Sequence, residues 1–308
     1  TDSGTLAITG VTTISASSGN VELNTATNDF LAAVKIEGVN VVVVDANSVD
    51  LGASTVTGTY AVTATAGGDI TNSGGLAITY GATFTAAGGQ SITLNSNNIF
   101  DDQSNAAATD AAVTFAPVSG TLNSVTVKNI TDVALAAMTL TGDLSIQASG
   151  VTQSGAWVIP GTTTISAIGT TINLSEGSNN FGGAVSITGH TVTLVDANAI
   201  DLGASTISGD YDVLAKAGNI TQSGNLTVNN SSKASTFKTE APSGTISSGT
   251  ILCGIDCDTA GGTNAFSGTV KLTTTGSSAH AYVDNGTTAL KIANGSSVGG
   301  NLTLVSGN

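Results

Sequence analysis

The chain contains no arginine, and its 308 residues include only three prolines, two cysteines, one methionine and one tryptophan. Without arginine there is no bidentate clamp for a substrate carboxylate or phosphate. Seven lysines against 21 acids leave a formal net charge of −14. That balance argues against nucleic acid or anionic lipid as partners, because both are held by clustered cations. The acidic excess instead keeps an apolar, threonine-rich chain soluble. Pro117, Pro160 and Pro242 are too few to interrupt long β ladders. Charged residues make up only 9% of the chain, yet there is no run of about 18 apolar residues, so no segment reads as a membrane span.

What the chain does contain is repetition. Val44-Asp45-Ala46-Asn47-Ser48-Val49-Asp50-Leu51-Gly52-Ala53-Ser54-Thr55-Val56 returns as Val195-Asp196-Ala197-Asn198-Ala199-Ile200-Asp201-Leu202-Gly203-Ala204-Ser205-Thr206-Ile207, shifted by 151 positions. A shorter period lies inside that one. Ile70-Thr71-Asn72-Ser73-Gly74 recurs at Val151 to Gly155 and Ile220 to Gly224, and Thr1 to Gly4 is the same motif less its first residue. The motif divides residues 1–308 into four super-repeats, 1–69, 70–150, 151–219 and 220–308. Each carries one Asn-x-Phe, so Phe30, Phe100, Phe181 and Phe266 read as core anchors. Repetition on this scale sets the fold before any single residue does.

Within a super-repeat, apolar and polar residues alternate over short runs rich in Val, Ile and Thr, bounded by Gly, Asn, Asp and Ser, as in Val34-Lys35-Ile36 and Tyr60-Ala61-Val62-Thr63. Such runs are strands, and no window sustains a helical period. About nine strands per super-repeat give about three coils of roughly 23 residues, three strands each. The fold class is therefore all-β, a right-handed parallel β-helix of about 13 coils forming a rod of roughly 60 Å as a single solenoid. The 39 glycines suit a chain that turns three times per coil. Two insertions, near 101–123 and 229–263, interrupt the pattern and read as loops, where recognition tends to sit.

Few residues look chemical. Asp45 with Asp50, and Asp196 with Asp201, could bind calcium or act as acid and base. The favoured reading is turn capping, because both pairs recur identically around a Val-Asp-Ala-Asn turn. Cys253 and Cys257 lie in the second insertion. A small disulfide is the favoured reading, with a free thiol pair and a metal site as alternatives. His190 takes the place of Val39, and Trp157 that of Leu6, Leu76 and Leu226, so both read as packing. Lys35 reads as an outward, solvated position. No catalytic triad or phosphate-binding loop is present, and no cofactor or catalytic residue is expected.

Leu51 to Gly58, Gly218 to Val228 and Asn179 to Ile187 resemble the repeat region of large bacterial filamentous-haemagglutinin-type exoproteins. The resemblance covers most of the chain outside the insertions. It implies a right-handed β-helical shaft, export across the bacterial envelope, a role in adhesion or fibre formation at the cell surface, and no catalytic residues. Gly307-Asn308 corresponds to Gly218-Asn219, one residue short of the phase in which Thr1 begins. Both ends are therefore expected to be open β edges, with no cap, signal peptide or start methionine in view.

The expectation is a non-enzymatic shaft segment of a bacterial cell-surface or extracellular fibre or adhesin. Its expected partners are neighbouring repeats or identical copies stacked end to end, and a surface glycan or a receptor on a host or partner cell. One alternative is a subunit that self-assembles head to tail into an extracellular filament. Another is a β-helix protein that binds or cleaves polysaccharide, which the absence of arginine disfavours. Ice binding is disfavoured too, since Thr63 and Thr65 give way to Leu214 and Lys216 in the second copy.

Overall fold

The computed structural model describes residues 1–100, 112–232, 234–240 and 264–307, with the backbone of 251–253. These form two compact units, Thr1–Gly155 and Ala156–Asn308. Both are built from parallel strands stacked as a β-solenoid, with about 13 turns in the chain and no helix among the described residues.

In the first unit the opening turn is made by Ala7–Ile8, Thr12–Ser15 and Val21–Leu23, and the second by Asp29–Phe30, Val34–Gly38 and Val41–Asp45. The third is Val49–Leu51, Ser54–Val56 and Thr59–Ala64. Valine, isoleucine and threonine at alternate positions fit a pleated surface with one face buried. Val34–Gly38 shows the result, with Val34, Ile36 and Gly38 buried and Lys35 and Glu37 exposed. Residues stack directly over their counterparts one turn on, as in Ile14 over Ile36 and Val43 over Val62.

The super-repeat is not a whole number of turns. The register Thr12 to Val34 to Leu51 to Asn72 completes three turns within 60 residues. Leu6 to its sequence counterpart Leu76 takes 70 residues, so each super-repeat advances one further face. Sequence-equivalent anchors consequently stand on different walls. Phe30 pairs with Ile8 in a two-stranded sheet, whereas Phe100 ends the column Gly38, Val56, Ile78, Phe100. The physical reason is economy at the corners: Gly52-Ala53 and Thr57-Gly58 turn the chain in two residues each.

Parts of both insertions belong to the solenoid. Thr114–Pro117 continues the ladder over Thr83 to Ala86, and Ala234–Thr239 in the second unit lies in register over Tyr211 to Ala215. Residues 101–111, 241–250 and 254–263 lie outside the described residues.

Aromatic rings brace the core of each unit. Phe84 contacts Tyr60, Phe100 and Phe115 at centroid distances of 6.1, 6.0 and 5.9 Å. In the second unit Phe237 contacts Tyr211 and Phe266, both at 5.7 Å. Those separations are in the range where ring quadrupoles attract. Phe30 and Phe181 are buried too, and among the described residues neither has a comparable ring neighbour.

Candidate functional site

The residues that carry polar chemistry are arranged as an internal ladder. At certain corners a backbone N–H points inward with no strand partner, and an unpaired buried N–H is costly. A side chain from the next turn accepts it. Leu6 donates to Asn28 Oδ1 at 2.9 Å, and Phe30 donates to Asp45 Oδ2 at 2.8 Å. Asn28 Nδ2 reaches back to Asp2 Oδ2 at 2.7 Å. The second unit repeats the device: Trp157 donates to Asn179 Oδ1 at 2.9 Å and Phe181 to Asp196 Oδ2 at 2.7 Å. Asn72 to Asn98 to Leu76 is a further copy, as is Gln222 to Asn264 to Leu226. The asparagine of Asn-x-Phe is thus a cross-turn acceptor, and the aromatic beside it supplies the next donor.

The two acidic pairs do not form joint sites. Alternation turns Asp45 into the core between Val43 and the corner, while Asp50 points outward between buried Val49 and Leu51. Asp45 has no solvent exposure, and its second oxygen takes the N–H of Asn47 at 2.7 Å. Burial pushes its carboxyl above the ordinary value of 3.8, the N–H groups of Asn47 and Phe30 oppose this, and the nearby charge of Asp29 adds to it. Asp196 is raised for the same first cause, opposed by the N–H groups of Phe181 and Asn198. Asp50 instead accepts the N–H and hydroxyl of Ser73 on the outside, both at 2.7 Å, and Asp201 faces the Thr221 hydroxyl at 3.4 Å. Turn capping therefore describes only half of what Asp45 and Asp196 do, because each also bridges two turns. Among the described residues no three acidic, histidine or cysteine side chains gather in a way that could hold a metal ion.

Two serines escaped the sequence reading. Ser54 Oγ accepts the N–H of Ile36 at 3.0 Å and donates to Gly52 O at 2.9 Å; Ser205 does the same between Ile187 and Gly203, both at 3.0 Å. They fill the gap where one long strand, Val34–Gly38, faces two short ones, Val49–Leu51 and Ser54–Val56. The available signal was a serine at an inward alternating position of Ser-Thr-Val. The buried phenols of Tyr60 and Tyr211 lie beside these serines, and burial drives both far above their usual range while the hydroxyls offset only part of the rise.

Glycine has its own role here. A Cβ on Gly74 would lie 2.1 Å from the backbone nitrogen of Ala53, and one on Gly224 would lie 2.1 Å from that of Ala204. The closing glycine of the Ile-Thr-x-Ser-Gly motif is therefore what lets adjacent corners nest.

Trp157 is fully buried, His190 Nδ1 lies 2.9 Å from Ser208 Oγ, and Lys35 is exposed. Phe30, Phe100, Phe181 and Phe266 are all buried, between 0 and 8% exposed. Cys253 ends the strand Ile251–Cys253, but its side chain and the whole of Cys257 lie outside the described residues, as do Asp101, Asp102 and Asp110.

What this arrangement does chemically is hold turns in register. The side-chain oxygens of Asn28, Asp45, Asn179 and Asp196 accept backbone N–H groups of the same chain. No curated protein and no solved structure matches the chain. Four segments, residues 1–37, 38–107, 122–188 and 189–273, match a family described as repeats of unknown function (DUF5649), and the chain belongs to that family.

Proposed function

We propose that this chain is a non-enzymatic structural segment, a β-helical shaft of a bacterial cell-surface or extracellular fibre or adhesin. The observation that carries this reading is the cross-turn ladder: Asn28, Asp45, Asn179 and Asp196 are all fully buried and bonded to backbone of adjoining turns. Groups that in an enzyme would face a substrate are here spent on stacking. The extracellular placement and the bacterial source rest on the resemblance of the repeats to exoprotein repeat regions. Immunogold electron microscopy of the producing cells, with antibodies raised against the purified chain, tests it. Label on the surface or on projecting fibres is expected, and label confined to the cell interior would overturn the proposal.

A further inference from the structure

Seven lysines are scattered along the sequence, and four of them fall on one line in the second unit. Lys216 directly follows the pair Ala215 and Thr239, which places it two positions beyond the level of Lys238 on the neighbouring strand. Thr236 pairs with Lys271, which sets Lys271 two positions back from Lys238. Thr269 pairs with Lys291, two positions back again. The four side chains thus step diagonally across four successive strands of one sheet. Strand spacing and rise per residue put neighbours about 8 Å apart and the whole line at about 25 Å. All four sit on the outward side of the alternation, beside buried Ala215, Phe237, Val270 and Leu272.

The same scaffold in the first unit lacks this line. By the 151-residue shift, Thr65 corresponds to Lys216. By register, Thr85 over Thr63 corresponds to Lys238, and Thr114 over Thr83 to Lys271. At these three positions the first unit has threonine where the second has lysine. Five of the chain's seven lysines lie in residues 156–308, together with nine of its 21 acids.

We propose that this diagonal is a binding track for a linear acidic polysaccharide, whose carboxylates or sulfates pair with the lysine ammonium groups. A line of point charges on a flat sheet fits an extended polymer better than a compact ion. Nucleic acid fits less well, because the aromatic side chains on these strands, Tyr211 and Phe237, are buried and offer no platform for stacking bases. Acids stand beside the track. Glu240 pairs with Lys238 at 2.5 Å, and Asp212 lies in the column of Thr236 and Lys271. A polymer anion must therefore displace Glu240. Lys216 also donates to Gly177 O at 3.1 Å, a contact that leaves its charge uncompensated by that partner. The overall negative charge is no bar, since charges more than about 8 Å away are largely screened at physiological salt.

The test uses the full chain with polygalacturonate and dextran sulfate as probes, and calorimetric or optical measurement of affinity over a series of salt concentrations that includes physiological salt. Binding of either polymer is expected, the stronger one identifying the anion, with a log–log salt slope of about −3. Lys238→Thr with Lys271→Thr is expected to weaken binding about tenfold or more, and threonine at all four positions to abolish it. The fold should survive, because threonine already fills three of the corresponding positions in the first unit. Thr65→Lys, Thr85→Lys and Thr114→Lys together should add a second site, read as a doubled stoichiometry. Failure of the unaltered chain to bind either polymer would overturn the proposal. So would unchanged affinity in the fourfold variant, or tighter binding to a single-stranded oligonucleotide of equal charge.

Discussion

The carboxylate of Asp45 accepts the backbone N–H of Phe30 across one turn of the solenoid at 2.8 Å, and 151 residues later Asp196 holds Phe181 in the same way at 2.7 Å. Elsewhere the position is taken by asparagine: Asn129 holds Phe100 at 2.9 Å and Asn285 holds Phe266 at 2.7 Å. What the corner requires is an acceptor oxygen, with the charge optional.

Asp45→Ala should therefore be much more damaging than Asp45→Asn. Alanine strands the N–H of Phe30 in the interior, at about 1–3 kcal/mol, and also removes the acceptor of the part-buried Asn47 N–H. Asparagine keeps the acceptor for Phe30 and forfeits only the contact to Asn47, about 1 kcal/mol. Urea midpoints for the two variants, read against the unaltered chain, check this. Equal midpoints would mean that the cross-turn bond contributes nothing.

Acidity should act on these residues in the direction opposite to most carboxylates. Burial raises Asp45 and Asp196 above 3.8, so in the window just above that value the folded chain holds protons that the unfolded chain has released. Their contribution to stability is fully present below 3.8 and is lost as pH rises through the folded value. Asp2, whose carboxyl is lowered chiefly by its bond from Asn28, works the other way and loses its contribution as pH falls. Replacing both Asp45 and Asp196 by asparagine should remove the gain seen on mild acidification. Melting temperatures measured from neutral pH down to about pH 4 decide the matter, and a variant whose pH profile parallels that of the parent would refute the assignment.

The closing glycine of the repeated pentapeptide should tolerate no side chain. In Gly74→Ala the new methyl would sit 2.1 Å from the nitrogen of Ala53, which is backbone and cannot swing aside. A loss of about 1–3 kcal/mol or more is expected from such overpacking. Gly67→Ala is the control: its φ of 75° is unfavourable for alanine, but nothing lies within 4 Å of the added carbon. Its cost should stay near 1 kcal/mol. Chemical unfolding of the two variants gives the comparison, and a Gly74 variant as stable as the Gly67 one would show that the corners can part.

Much of the solenoid was legible because its determinants are local. Alternation in runs such as Val34 to Gly38 marks strands, and the recurrence of Val44 to Val56 as Val195 to Ile207 marks stacking. Less legible was anything that depends on which residues meet across a turn. Counting nine strands per super-repeat missed that Ala7–Ile8 and Leu76–Ile78 are ten strands apart, so equivalent phenylalanines land on different walls. Asp45 and Asp50 look like a pair in sequence, yet an odd separation along alternating strands with a corner between them sends one inward and one outward. The lysine diagonal was invisible for the same reason, since Lys216, Lys238, Lys271 and Lys291 become neighbours only through register. Phe84, Phe115 and Phe237 were passed over because they lack the Asn-x-Phe signature, although each occupies an inward alternating position.

Phe84 tests how far that oversight matters. It is fully buried and makes three ring contacts, with Tyr60 one turn before, Phe115 one turn after and Phe100 on another wall. Phe30, which carries the repeat signature, has none of comparable geometry among the described residues. Truncating either to alanine removes a large apolar side chain, at about 3–5 kcal/mol. Phe84→Ala should lie at the upper end, because its ring contacts add about 0.5–1.5 kcal/mol each beyond area burial. In a stack where each turn touches only its neighbours, the loss should be local. Hydrogen exchange should therefore speed up in Thr59–Ala64, Gly81–Ala86 and Thr114–Pro117 while Ala7–Ile8 and Thr12–Ser15 keep their protection. Uniform loss of protection across the first unit would instead show that these turns unfold as one cooperative block, and that the aromatic brace has no local role of its own.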